Sequence, residues 1–122
     1  MSRVIKSVES ASSLMKDALE VSGFLVEATS APSIANNSSL DIYRRYIALT
    51  QRLLDSNGQL LCYITYRVTQ TRGDIHPSFS SYELLNINYE PITNAKWHLR
   101  DYPDSFSCFR IVYNYILSNF NV

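Results

Sequence analysis

Apolar residues recur at helical spacing through the first thirty positions. Val4, Ile5, Val8, Met15, Leu19, Phe24 and Val26 are interleaved with Lys6, Glu9, Lys16, Asp17, Glu20 and Glu27. A stripe of that period predicts an amphipathic helix from about Ser2 to Glu27, interrupted or ended by Gly23. Thr, Ser, Ala, Pro and Asn then crowd together, which predicts a linker over 31–39. A second stripe follows. On a 3.6-residue wheel, Leu40 to Asp55 gathers Asp41, Arg44, Arg45, Gln51, Arg52 and Asp55 into one arc, with Leu40, Tyr43, Ile47, Leu53 and Leu54 opposite. This predicts a second helix, capped by Ser38 or Ser39 and stopped by Asn57-Gly58. The competing reading makes Asp55-Ser56-Asn57-Gly58 a hairpin turn and residues 40–56 its first arm.

From Gln59 the period changes to two. Leu60, Cys62, Ile64, Tyr66 and Val68 alternate with Leu61, Tyr63, Thr65, Arg67 and Thr69, which predicts a strand. A second strand is expected from Phe79 to Tyr89, ended by Pro91, and a short third from Thr93 to Arg100, where Ala95, Trp97 and Leu99 alternate with Lys96, His98 and Arg100. Asp104 or Ser105 then caps a helix carrying Phe106, Phe109, Tyr113, Ile116, Leu117 and Phe120 along one stripe. The predicted order is α-α-β-β-β-α. The fold class expected is α+β, a small antiparallel sheet with helices packed on one face, because short connections join strands as hairpins and an apolar helix stripe needs a sheet face to cover it.

Composition sharpens the division of the chain. Phe24 is the only aromatic in the first thirty residues, and the other fourteen lie after residue 42, so the main core belongs there. The expected organisation is an amino-terminal helix or arm over 1–30, a linker over 31–39 and a compact core over 40–122. A hydrophobic content of 46% with 18% charged residues is that of a folded globule, not of a disordered segment. No apolar run approaches the roughly 18 residues that cross a bilayer, and the amino-terminal residues lack a secretory h-region. The expectation is a cytoplasmic, intracellular protein. Eleven Lys and Arg balance eleven Asp and Glu, which argues against broad phosphate-backbone binding and makes association easier.

Chemistry-bearing residues are sparse. Cys62 and Cys108 lie in apolar contexts without a CxxC or a Cys-His cluster, so they read as small buried hydrophobes. His76 beside Asp74 and His98 near Asp101 are the residues able to form a proton-transfer pair. Isolated glycines at 23, 58 and 73 build no phosphate loop, and Asp101-x-x-Asp104 reads as a turn and helix cap instead of a calcium loop. The Asn-x-Ser sequons at Asn36 and Asn37 read as accidental without an export signal. No catalytic residue, cofactor or metal is expected.

The helix-strand-strand-strand-helix order expected over residues 39–121, with Gly73-Asp74-Ile75-His76-Pro77 followed by Phe79 in the first strand connection, resembles a double-stranded-RNA-binding domain. That family carries a Gly-x-x-His loop there. Its lysine cluster at the start of the last helix is replaced here by Asp104-Ser105-Phe106-Ser107-Cys108. The resemblance implies RNA contacts from Arg44, Arg45, Arg72 and His76, in a degenerate module. Nine tyrosines, Trp97 and scattered arginines match the residue types enriched at interface hot spots. The primary expectation is therefore a non-enzymatic protein-protein interaction or assembly protein, of the size of a small viral or phage structural or accessory factor, acting as a homo-oligomer or with a protein partner. Nucleic acid is the less expected partner. Arg44, Arg45, Arg52, Arg72 and His76 are the candidate contacts.

Overall fold

The computed structural model describes residues 7–29, 43–71 and 78–122. Within them the order is α1 (Val8–Val21), β1 (Leu25–Thr29), β2 (Tyr43–Leu54), β3 (Leu60–Thr71), β4 (Ser78–Leu85), β5 (Pro91–His98), a single 3-10 turn at Leu99–Asp101, and α2 (Ser105–Asn119). The strands form one antiparallel sheet in chain order, β1-β2-β3-β4-β5. The α+β class, the antiparallel sheet and the packing of helices on one face are as expected. The order is not α-α-β-β-β-α but α-β-β-β-β-β-α.

Ser7 caps α1 by accepting a hydrogen bond from the Ser10 N–H at 3.1 Å. The helix then stops where glycine allows it. The Phe24 N–H reaches back to the Leu19 carbonyl and the Gly23 N–H to that of Glu20, a Schellman closure with Gly23 at φ 106°. The predicted helix to Glu27 is therefore too long. Phe24 and Val26 stay buried because extended chain alternates, with Leu25 exposed between them and Glu27 exposed after them. Their spacing from Leu19 imitated a continuing helical stripe.

The predicted helix over 40–55 is the larger correction. Residues 43–54 are β2, and the hairpin reading of 55–58 is the one the structure adopts. Asp55 exchanges bonds across the turn, its N–H donating to the Gln59 carbonyl at 2.9 Å. Its Oδ1 accepts from the N–H groups of Asn57 and Gln59, both at 2.9 Å, and Gly58 takes φ 85°. Two features hid the strand. A register shift between Ile47 and Leu49 breaks the two-residue period. Gln51, a polar residue, occupies an inward position with 2% exposure. β4 is shorter than predicted: it ends at Leu85, and Asn86 repeats the Asp55 geometry, with Tyr89 at φ 64° in the place of Gly58. Pro91 consequently opens β5 instead of closing β4.

One cluster holds both helices and the inward sheet face. Ala11, Met15 and Leu19 of α1 and Cys108, Val112 and Ile116 of α2 are fully buried in it. They meet Leu53, Cys62, Ile64, Tyr66, Tyr82 and Leu84 from the central strands. A buried chain of hydrogen bonds ties α1 to the sheet: Tyr66 Oη donates to Gln51 Oε1 at 2.5 Å, and Gln51 Nε2 donates to the Ser12 carbonyl at 2.9 Å. The predicted linker over 31–39 lies outside the described residues. Among the described residues no helix is long and apolar enough to cross a membrane.

Candidate binding site

Strand alternation sends Arg45, Arg67, Thr69, Lys96 and His98 to the sheet face opposite the helices. Register brings them together at one end. Arg45 lies opposite Thr69, Arg67 opposite Ser81, and Ser81 opposite His98, while Lys96 faces Glu83. The 3-10 turn that leaves β5 adds Arg100. These side chains line a cleft of about 590 Å³, which Phe79 and Leu99 also border, although the Phe79 ring packs on Tyr66 and Tyr82 of the core.

Four of the side chains that line the cleft are basic, Arg45, Arg67, Lys96 and Arg100. Arg67 Nη1 pairs with Glu83 Oε1 at 3.5 Å, and both side chains are largely shielded from solvent. Lys96 and Arg100 form no ion pair among the described residues. At the opposite end the same face carries two tyrosine rings beside the Arg52–Glu27 ion pair. The ring of Tyr89 meets that of Tyr63 edge-on at 5.0 Å, and its hydroxyl lies 3.3 Å from Thr50 Oγ1.

Of the residues expected to make contacts, Arg45 lines this cleft. Arg44 belongs to β2, opposite Gln70. Arg52 does not join them: it lies nearer the hairpin end of β2 and pairs with Glu27 of β1 at 3.1 Å, both side chains exposed. Arg72 and His76 lie outside the described residues. Sequence reasoning missed Arg67, Lys96 and Arg100 as lining residues beside Arg45; the alternation of Lys96 and His98 along β5 was a signal for one outward row, whereas Arg100, expected on that strand, joins from the 3-10 turn.

The candidate proton-transfer pairs fare differently. His98 and Asp101 form no ion pair, and the Asp74–His76 pair lies outside the described residues. Both thiols are buried, as expected. Burial pushes the Cys62 thiol up to about 12, and burial, assisted by the Asp101 carboxylate, pushes Cys108 up to about 11, so neither is poised as a nucleophile near neutral pH. Among the described residues no group of three or more His, Cys, Asp or Glu converges to hold a metal. The α-β-β-β-α order on which the RNA-binding resemblance rested is absent, because β2 stands where its first helix would be.

Fold and site together define an α+β domain with one helix-covered sheet face and one face that carries a basic cleft. Comparison of the chain with protein-family models, curated proteins and solved structures finds no match.

Proposed function

We propose that this protein is a non-enzymatic interaction module that binds an anionic partner on the sheet face opposite its helices. The observation that carries this reading is the convergence of Arg45, Arg67, Lys96 and Arg100 on one cleft of a chain whose net charge is zero. Charge concentrated in this way, on a concave surface, focuses the field and attracts anions that the net charge would not.

Self-association is the second reading, favoured by one observation. Neutrality requires acidic groups elsewhere, and α1 exposes Glu9 and Asp17, so the acidic surface of a second copy is a complementary partner. Such a contact joins two different surfaces and propagates unless rotation closes it into a ring.

Heparin serves as the probe for the primary reading. The wild-type chain should be retained on immobilised heparin at neutral pH and released by salt, whereas Lys96→Glu with Arg100→Glu should pass through unretained. Flow-through of the wild-type chain would remove the proposal. In sedimentation at low salt, association that the same pair of substitutions abolishes would make the partner a second copy.

A further inference from the structure

The helix layer carries a second surface, remote in character from the cleft. Both helices end at the same corner of the fold, where Gly23 lies beside the Val122 side chain and the Val122 carbonyl accepts from the Ser56 N–H at 2.7 Å. α1 and α2 therefore lie side by side and run in the same direction over the sheet. Along the seam between them each helix turns an apolar stripe outward. In α1 it is Leu14, Ala18 and Val21, spaced i, i+4, i+7, and in α2 it is Phe106, Tyr113 and Leu117, spaced i, i+7, i+11. Val21, Phe106 and Leu117 are 88%, 49% and 41% exposed, and the other three are half-buried. A helix face that meets only water is ordinarily charged and polar, yet α2 carries a single charge, Arg110, in its 15 residues.

The charges on the stripes decide what covers them. Arg110 stands at the i+4 position of the α2 stripe and Asp17 at the i+3 position of the α1 stripe, so each stripe bears one charge and the two are opposite in sign. Both residues are exposed, and among the described residues neither forms an ion pair. We infer that this face is a homodimer interface. α1 of one copy docks on α2 of a second copy about a two-fold axis parallel to the helices, and Asp17 of each copy pairs with Arg110 of the other.

Symmetry is the reason for a second copy over a different protein. A two-fold contact joins one patch to itself, so that residue i meeting residue j is answered by j meeting i. A patch of one sign would repel its own copy, whereas a negative stripe beside a positive one complements itself at two places. Heights along the layer agree with this pairing. Ser22 Oγ lies 2.6 Å from the Tyr113 hydroxyl, Asp17 precedes Ser22 by five residues, and Arg110 precedes Tyr113 by three. The two charges therefore stand within about 5.4 Å, one helical turn, of the same height, and an axis parallel to the helices preserves height.

Area sets the strength of the contact. Helices of 14 and 15 residues are about 21 and 22 Å long and about 10 Å wide, so the layer presents a face of about 20 by 22 Å. Roughened by its side chains, such a face reaches the low end of the roughly 600 to 1,000 Å² per partner in standard interfaces. The dimer should dissociate in the micromolar range.

Sedimentation equilibrium on the full chain, from about 10 to 500 μM at neutral pH, tests this. The wild-type chain should follow a monomer–dimer equilibrium, and Leu117→Glu should be monomeric throughout. Arg110→Glu should weaken the dimer by about tenfold or more, because it brings like charges together at two symmetric places. Asp17→Arg should weaken it likewise, and the two reversals combined should restore association to within about threefold of wild type. All three side chains are exposed, so circular dichroism spectra should stay unchanged. Lys96→Glu with Arg100→Glu should leave the dimer intact, which separates this contact from one made by the basic cleft. A strict monomer at about 500 μM overturns the inference and leaves the face to a different protein or to none. A dimer that Leu117→Glu leaves intact overturns it too, as does a double reversal that fails to restore association. None of these outcomes touches the anionic-partner reading, which heparin retention tests by itself.

Discussion

Tyr66 and Tyr82 stand together in the core with ring centroids 5.4 Å apart, both fully buried, yet their hydroxyls have opposite fates. That of Tyr66 donates to Gln51, which in turn holds α1, whereas that of Tyr82 has no partner among the described residues. A buried acceptor stripped of its donor costs about 1–3 kcal/mol, while removing a donor that has no partner returns its desolvation penalty. Tyr66→Phe should therefore lower stability by about 1–3 kcal/mol. Tyr82→Phe should leave it unchanged or raise it by up to about 1 kcal/mol. Urea midpoints of the two variants against wild type check the pair, and equal losses would contradict the hydrogen-bond assignment.

At the scale of elements, the two long hairpins share one turn geometry and solve its backbone problem differently. The fourth position must take a positive φ. Gly58 fills it in the β2–β3 turn at φ 85°, and Tyr89 fills it in the β4–β5 turn at φ 64°. A Cβ at Gly58 would meet nothing within 4 Å, so the cost of a side chain there is conformational and not steric crowding. Gly58→Ala should destabilise the protein by about 1 kcal/mol, read as a lower urea midpoint at unchanged slope. Tyr89 already bears that strain, offset by its edge-on contact with Tyr63 and the proximity of its hydroxyl to Thr50. The Asp55-Ser56-Asn57-Gly58 turn was legible as a competing hairpin signal. The Asn86 turn was not, because Leu85, Ile87 and Tyr89 continue the two-residue alternation straight through it.

For the molecule as a whole, the core joins ionisable groups to one cooperative unit, which sets a pH limit. Cys62 and Cys108 ionise near 9.0 when exposed and near 12 and 11 when folded, and burial also raises Tyr66 and Tyr82 above 10.0. Folded groups with raised values favour the protonated form, so their stabilisation is complete below about 9. It is lost as pH rises through the window from 9 to about 12. Each buried thiol adds a slope of about 1.4 kcal/mol per pH unit where only the unfolded chain has released its proton. Thermal midpoints should therefore fall steeply above pH 9, and Cys62→Ala should flatten the decline while lowering the midpoint at pH 7. The sequence by itself determined the α+β class, the long strand after Gln59, the Asp104-capped final helix and the burial of both cysteines, because period, capping and turn chemistry are local properties. Only the tertiary structure decided that residues 43–54 form a strand. Its bulge and its inward Gln51 gain their partners from α1 and β3, which lie far away in sequence, and no local period records them. The binding cleft is of the same kind. Arg45 was legible as a basic surface residue, but its association with Arg67, Lys96 and Arg100 depends on the register of four strands, and register is set by pairing across the sheet and not along the chain.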